Sequence, residues 1–160
     1  MQNNFTEIER KFLIDSFPAD LPLKRAYQVY QAYLSLEPEV RIRRCMQDGL
    51  GGACFLTIKS GHGLVRREVE LEISQDQFCA LAGMITQAFV SKDFRVYQLP
   101  GDLELECSLV DKEMPSEFMY AEIEFPDVDT ARQFVPLPFF KEEVTDDPAY
   151  RMKNYWKKTR

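Results

Sequence analysis

Histidine is almost missing from this chain of 160 residues: the single one, His62, stands between Gly61 and Gly63, where a turn is expected. One histidine at a turn tip excludes Ser-His-Asp catalysis and multi-histidine metal centres. Cysteine is sparse as well. Cys45, Cys54, Cys79 and Cys107 include no CxxC pair, which speaks against a zinc site. Cys45 and Cys54 could face each other across a hairpin, although two buried thiols are expected in a reducing cytosol. No apolar run approaches the roughly 20 residues of a membrane span. The first residues lack the basic and apolar regions of a secretory signal, so the chain reads as cytoplasmic with no membrane partner. An excess of positive charge is absent too. A net charge of -6 argues against general nucleic-acid binding but leaves room for a local cationic pocket. Long linkers and low-complexity segments are also lacking, and the length suits one domain over residues 1–160.

What the chain has in quantity is alternation. Period-two patterning predicts strands over residues 5–14, 27–36, 39–46, 53–60, 65–74, 89–98, 102–110 and 117–125. Turn chemistry separates several of them, as at Asp48-Gly49, Gly51-Gly52 and Pro100-Gly101-Asp102. Ser74 with Gln77 forms a capping-box pattern ahead of Phe78, Leu81, Ala82 and Ile85, which follow at helical spacing. A second helix is expected from about Val128 to Val135, stopping before Pro136. A third is expected to open at Asp147-Pro148, with Lys157, Lys158 and Arg160 complementing the dipole at its end. Eight strands with three peripheral helices predict an α+β protein built on a closed eight-stranded antiparallel β-barrel. Closure removes the exposed edges of an open sheet.

The alternating faces carry an unusual load. Glu7, Glu9 and Lys11 share one face of the first strand, because residues i, i+2 and i+4 point the same way. Arg41 with Arg43, and Thr57 with Lys59, do the same on the third and fourth. Arg66, Glu68, Glu70 and Glu72 share a side of the fifth strand, and carboxylates recur at Glu104 and Glu106, then at Glu122 and Glu124. A sheet with one solvated face produces such alternation routinely. The segregation of cations from carboxylates favours the inward face instead, since soluble surfaces intersperse the two signs. Inward charges are costly unless paired or bound to a ligand. Guanidinium forks suit phosphate oxygens and carboxylates suit Mg²⁺ or Mn²⁺, so a triphosphate chain is the natural occupant.

Glu7-Ile8-Glu9-Arg10-Lys11 resembles the ExExK signature of the CYTH superfamily, the triphosphate tunnel metalloenzymes. The resemblance extends over nearly the whole chain. It takes in Gln31-Ala32-Tyr33-Leu34, Val40-Arg41-Ile42-Arg43, Thr57-Ile58-Lys59 and Arg66-x-Glu68-x-Glu70, then Ala121-Glu122-Ile123-Glu124 and Glu143-Val144-Thr145. It implies a barrel that forms a tunnel and metal-dependent chemistry on triphosphates. Short bacterial members with the Glu-Val-Thr tail are commonly inorganic triphosphatases. Carried over, the resemblance makes Lys11, Arg41, Arg43, Lys59 and Lys92 phosphate-binding, with Arg66 and Arg95 as further contacts. Glu7, Glu9, Glu68 and Glu70 would ligate Mg²⁺ or Mn²⁺ or order its waters, together with Glu106, Glu122 and Glu124. Lys11, Glu70 and Lys92 are the candidate catalytic groups. The implied reaction is in-line attack of water on a terminal phosphorus.

Four departures stand out: Ala32 replaces the family's glycine, Glu106 its aspartate, and Met152 the asparagine two residues after Tyr150. On the sixth strand the usual KxR appears as Lys92-Asp93-Phe94-Arg95, one residue longer, and a β-bulge is predicted there to turn both cations inward. Three alternatives remain at this level: a nucleotide or thiamine triphosphatase, a class IV-type adenylate cyclase, and a module that binds polyphosphate without cleaving it. The expected partner is a small-molecule triphosphate, with no nucleic acid, and the chain is expected to be a monomer or homodimer.

Overall fold

The computed structural model describes residues 5–160. Eight strands run β1 (Thr6–Leu13), β2 (Leu23–Leu36), β3 (Glu39–Met46), β4 (Cys54–Ser60), β5 (Val65–Ile73), β6 (Val90–Gln98), β7 (Glu104–Val110) and β8 (Phe118–Glu124). Helix α1 (Gln75–Ala82) lies between β5 and β6, and α2 (Val128–Gln133) and α3 (Met152–Thr159) follow β8. The sheet is the expected closed antiparallel barrel, ordered β1-β5-β4-β3-β2-β6-β7-β8 and back to β1. β2 begins at Leu23, four residues before the expected position, and a register shift between Leu23 and Arg25 lets this extension pair with β6.

At α1 both halves of the capping box form: the Ser74 side chain accepts from the Gln77 amide and the Gln77 side chain accepts from the Ser74 amide. The second helix ends two residues early, at Gln133, because Phe134 is already extended. The third is divided. Pro148 opens a single 3-10 turn over Pro148–Tyr150, capped by Asp147, and the extended Arg151 separates that turn from α3. Lys157 and Lys158 do occupy its last turn.

The apolar face of each strand points outward and is buried under the helices and connecting segments. One cluster gathers Ile42, Cys54, Phe78 of α1, and Tyr155 and Trp156 of α3. A second gathers Ile8, Leu105, Cys107 and Ile123 with Ala131 of α2. A sheet must bury one face against another layer. Once the apolar faces are claimed by the helices, the charged faces are left to close on one another. Cys45 faces the lumen and Cys54 the outer wall, so these two thiols do not meet, and all four cysteines are free. Ala32 is fully buried in the outer wall, where the methyl group is accommodated.

The segment carrying α3 closes one end of the barrel. Trp156 packs on Tyr33 with ring centroids 5.8 Å apart, and Phe118 meets both Tyr150 and Tyr155. Arg160 pins the helix by an ion pair to Asp111 at 2.7 Å, both side chains being almost fully buried. Asp111 also accepts from the Ser91 amide and from the Tyr155 hydroxyl. Among the described residues no helix is long and apolar enough to cross a membrane.

Candidate tunnel site

The lumen is a cavity of about 540 Å³ and its wall is charged. Alternation places Glu7, Glu9 and Lys11 of β1 inside, with Arg66, Glu68 and Glu70 of β5 beside them. Lys59 of β4 and Arg41 and Arg43 of β3 continue round the wall, followed by Lys92 of β6, Glu106 of β7, and Glu122 and Glu124 of β8. Barrel closure makes β7, β8, β1 and β5 neighbours, so the carboxylates form one arc. The cations of β4, β3 and β6 stand on the remaining arc, with β2 between β3 and β6, while Lys11 and Arg66 stand among the carboxylates and Glu39 among the cations.

Several of these groups are held by one another. Lys59 Nζ donates to both Glu7 carboxylate oxygens at 2.8 and 3.1 Å and also contacts Glu68, while Arg66 reaches Glu7 at 3.0 Å. Burial would raise the Glu7 carboxyl, but Lys59 and Arg66 outweigh it and hold it below the usual carboxylate range. Arg43 donates to Glu70 at 2.9 and 3.1 Å, and the Thr57 hydroxyl adds a third bond at 2.9 Å. Glu70 is therefore held low against its own burial. Lys11 meets Glu122 at 2.7 Å. Burial acts upward on Glu122, yet Lys11 and Lys92 bring it down to about 2.

The remaining carboxylates have no cation in hand. Burial, with Glu122 and Glu7 nearby, pushes Glu9 well above its ordinary value. Burial and Glu122 push Glu106 up to about 7, and burial and Glu7 raise Glu124. Lys92 is the cationic counterpart. Burial, with Arg41 and Lys11 close by, draws its ammonium down to about 7 although Glu122 opposes the shift. Its hydrogen bond is to a neutral group, the Tyr120 hydroxyl, at 2.6 Å.

The tail motif explains itself mechanically. Glu143 grips the outward-facing Arg10 through two bonds at 2.8 and 2.7 Å. The Thr145 hydroxyl accepts from the Lys11 amide at 3.0 Å, and the Val144 amide donates to the Lys11 carbonyl at 2.8 Å. Both backbone groups of Lys11 are thus engaged by residues that come more than a hundred positions later.

Arg95 is the one expected site residue that the tunnel does not contain. Pairing of β6 with β7 is continuous from Lys92 to Gln98, so the predicted bulge is absent. The irregularity sits across the ladder instead, in β2 near Lys24. Unbroken alternation sends Lys92, Phe94 and Val96 inward and Arg95 outward, where its guanidinium lies 3.9 Å from the Phe17 ring centroid. Arg95→Ala should therefore leave triphosphate turnover within about twofold while lowering stability by about 1 kcal/mol, the usual magnitude for a cation–π contact that is only half-buried. Turnover and melting temperature measured side by side check this.

Among the lumen residues that escaped the sequence reading are Tyr120, Gln31, Tyr33 and the buried Glu39 of β3. The Tyr120 ring lies under two ammoniums, 4.2 Å from Lys11 and 5.2 Å from Lys92. The signal was available, since Tyr120 stands two residues before Glu122, and Gln31 and Tyr33 straddle the outward-facing Ala32.

No family model matches the chain. Over 148 residues it is 37% identical to an inorganic triphosphatase of Nitrosomonas europaea, covering 92% of this chain and 95% of that protein. The chain belongs to the inorganic triphosphatases of the CYTH superfamily. A crystal structure of the inorganic triphosphatase NE1496 superposes on this CYTH protein with a TM-score of 0.64 at 34% identity, over 93% of each chain. PH1819 from Pyrococcus horikoshii OT3 shares the CYTH barrel alone, with a TM-score of 0.58 at 19% identity over 79% of this chain and 82% of that one.

Proposed function

We propose that this CYTH protein hydrolyses inorganic tripolyphosphate to pyrophosphate and phosphate inside its tunnel, with Mg²⁺ or Mn²⁺. The observation that carries the reading is the facing of a carboxylate-rich arc and a cation-rich arc across a lumen closed at one end. A polyanion satisfies the cationic arc, and Lys11, Arg41, Arg43, Lys59, Arg66 and Lys92 are its phosphate contacts. The likeness to an inorganic triphosphatase at 37% identity supports the choice of triphosphate.

The acidic arc fits a hard divalent cation. Its donors are oxygens only, and Glu9, Glu106 and Glu124 are raised by burial and mutual repulsion, as expected of carboxylates that want a positive charge. Among the described residues no group of three acidic, histidine or cysteine side chains is gathered tightly enough to hold an ion. Mg²⁺ commonly takes only one or two carboxylates and completes its shell with substrate phosphate. Glu9, Glu106, Glu122 and Glu124 are the residues proposed to supply those one or two carboxylates and to order the ion's waters, while Glu7, Glu68 and Glu70 fix the cations. A bound Mg²⁺ or Mn²⁺ supplies neutralisation of phosphoryl charge.

The chain's own groups then do the rest. Tripolyphosphate lies along the tunnel with its phosphoryl oxygens on the lysines and arginines. Water attacks the terminal phosphorus as the bond to the pyrophosphate oxygen breaks, and the cations stabilise the charge that collects on that oxygen. Lys92, drawn down to about 7, is the group proposed to take the proton of the water, and once charged it holds the phosphate oxygens as the other cations do. The reading places the enzyme in the cytoplasm, as a monomer or homodimer.

Phosphate release from tripolyphosphate should be readily measurable with Mg²⁺ or Mn²⁺ and should vanish on chelation. Thermal stabilisation by tripolyphosphate without any turnover, across several metals, would establish a binding module instead. One observation favours a second reading, an organic triphosphatase. Tyr27, Phe55 and Phe94 line the cavity, with Tyr27 and Phe94 stacked at 6.4 Å between centroids, and could take an aromatic group. A panel of tripolyphosphate, ATP and thiamine triphosphate ranks the readings by kcat/KM.

A further inference from the structure

Gln31 is 1% exposed, yet its side-chain Nε2 has no hydrogen-bond partner. The Tyr33 hydroxyl, on a residue 5% exposed, has the Arg41 guanidinium beside it as a donor but no acceptor for its own proton. A buried donor left unpaired costs about 1–3 kcal/mol, so a fold keeps one only where something pairs it. Both side chains line the tunnel. Neither is excused by its location: Ala32, between them, is packed in the outer wall, and replacing Gln31 by an apolar side chain would remove the orphan.

Their neighbours show what the donors await. In the ladder Gln31 lies opposite Arg43, and Tyr33 lies opposite Arg41. On its other side, β2 pairs Gln31 with Val90 and Val29 with Lys92. The two donors are therefore framed by two guanidiniums and an ammonium, and the Nε atoms of Arg41 and Arg43 are buried without partners as well. The carboxylates at hand do not fill this place: Glu39 of β3 acts on Tyr33 and Arg41 by its charge without hydrogen-bonding either, and Glu70 engages Arg43 through Nη2, not Nε. Donors that converge without an acceptor, beside fixed positive charge, call for an oxyanion rich in lone pairs.

We propose that Gln31 Nε2 and the Tyr33 hydroxyl are neutral phosphoryl-oxygen donors, holding the phosphate unit nearest the end that α3 closes. The inference rests on the triphosphate reading above and extends it from charged contacts to uncharged ones. The neutral pair orients that unit without adding charge repulsion among Arg41, Arg43 and Lys92, which already crowd one another.

The test uses the full chain with tripolyphosphate and Mg²⁺, comparing the wild type with Gln31→Leu and Tyr33→Phe. Gln31→Leu should raise KM or lower kcat/KM by roughly tenfold to a hundredfold, the usual magnitude for a donor to a charged acceptor. Its melting temperature should stay level or rise, because an orphaned donor has been removed. Tyr33→Phe loses only the hydroxyl and should show a smaller loss of the same kind at unchanged melting temperature. Gln31→Leu and Tyr33→Phe proteins with wild-type KM and kcat overturn the inference, as does a loss of activity that only follows a fall in melting temperature. A wild-type protein that neither binds nor cleaves tripolyphosphate removes the parent reading, which the variant comparison by itself does not touch.

Discussion

Lys92→Met is expected to make the protein more stable and nearly inactive at once. Lys92 is 7% exposed, its ammonium hydrogen-bonds only a neutral phenol, and it is drawn down to about 7 by burial and by Arg41 and Lys11. Its folded pKa is thus depressed below the unfolded value near 10.4. For a base shifted this way the unfolded chain binds more protons between those two values. Stability therefore rises with pH across that window, and the penalty is fully present below about pH 7. At 1.36 kcal/mol per pKa unit the penalty is on the order of 5 kcal/mol as an upper bound, and methionine keeps most of the side-chain volume without it. A melting temperature higher by roughly 5–10 °C at pH 6–7 is expected, with the gain shrinking toward pH 10. Turnover should fall about 10²–10³-fold, as when a preorganised electrostatic contact is lost. Calorimetric melts of both proteins across that pH range decide it, and a variant less stable than wild type at pH 6–7 would refute this account of Lys92.

The same substitution at Lys59 should have the opposite effect on stability. Lys59 is as deeply placed as Lys92, with a side chain 9% exposed, but it joins Glu7 and Glu68. Removing it leaves Arg66 as the sole partner of Glu7 and strips Glu68 of its cation. Breaking one side of a buried pair typically costs 3–5 kcal/mol, because the charge left behind has lost its compensation. Lys59→Met should melt about 10 °C lower and should also lose turnover by at least 10²-fold. Adding tripolyphosphate should stabilise wild type much more than this variant. An unchanged melting temperature would mean that Glu7 and Glu68 are satisfied without Lys59, and the ion-pair network described above would be wrong. The two lysines together separate a charge kept for a ligand from a charge kept for its neighbours.

That distinction cannot be drawn from residue type. Lys59 and Lys92 stand on the same inward face of their strands, and only their spatial partners differ. The facing itself was readable, because the period of two is local: Glu7-x-Glu9-x-Lys11 or Arg66-x-Glu68-x-Glu70 share a side whatever the strand pairs with. For the same reason the strand limits apart from the start of β2, the Ser74 capping box and the apolar outer faces followed from short stretches of sequence.

Pairing is non-local, and there the reading by residues stopped. Strand β1 lies between β5 and β8, and β6 between β2 and β7. Those neighbours turn scattered carboxylates into one arc and aim Lys11 at Glu122. The extra residue between Lys92 and Arg95 is the sharpest case. Sequence spacing allowed either a bulge or an outward arginine, and the unbroken ladder with β7 chose the second, since seven consecutive pairs outweigh one inward cation. Local periodicity thus named nearly all the charges that enter the lumen, while long-range hydrogen bonding chose which of them meet, which stay unpaired, and which one is shut out.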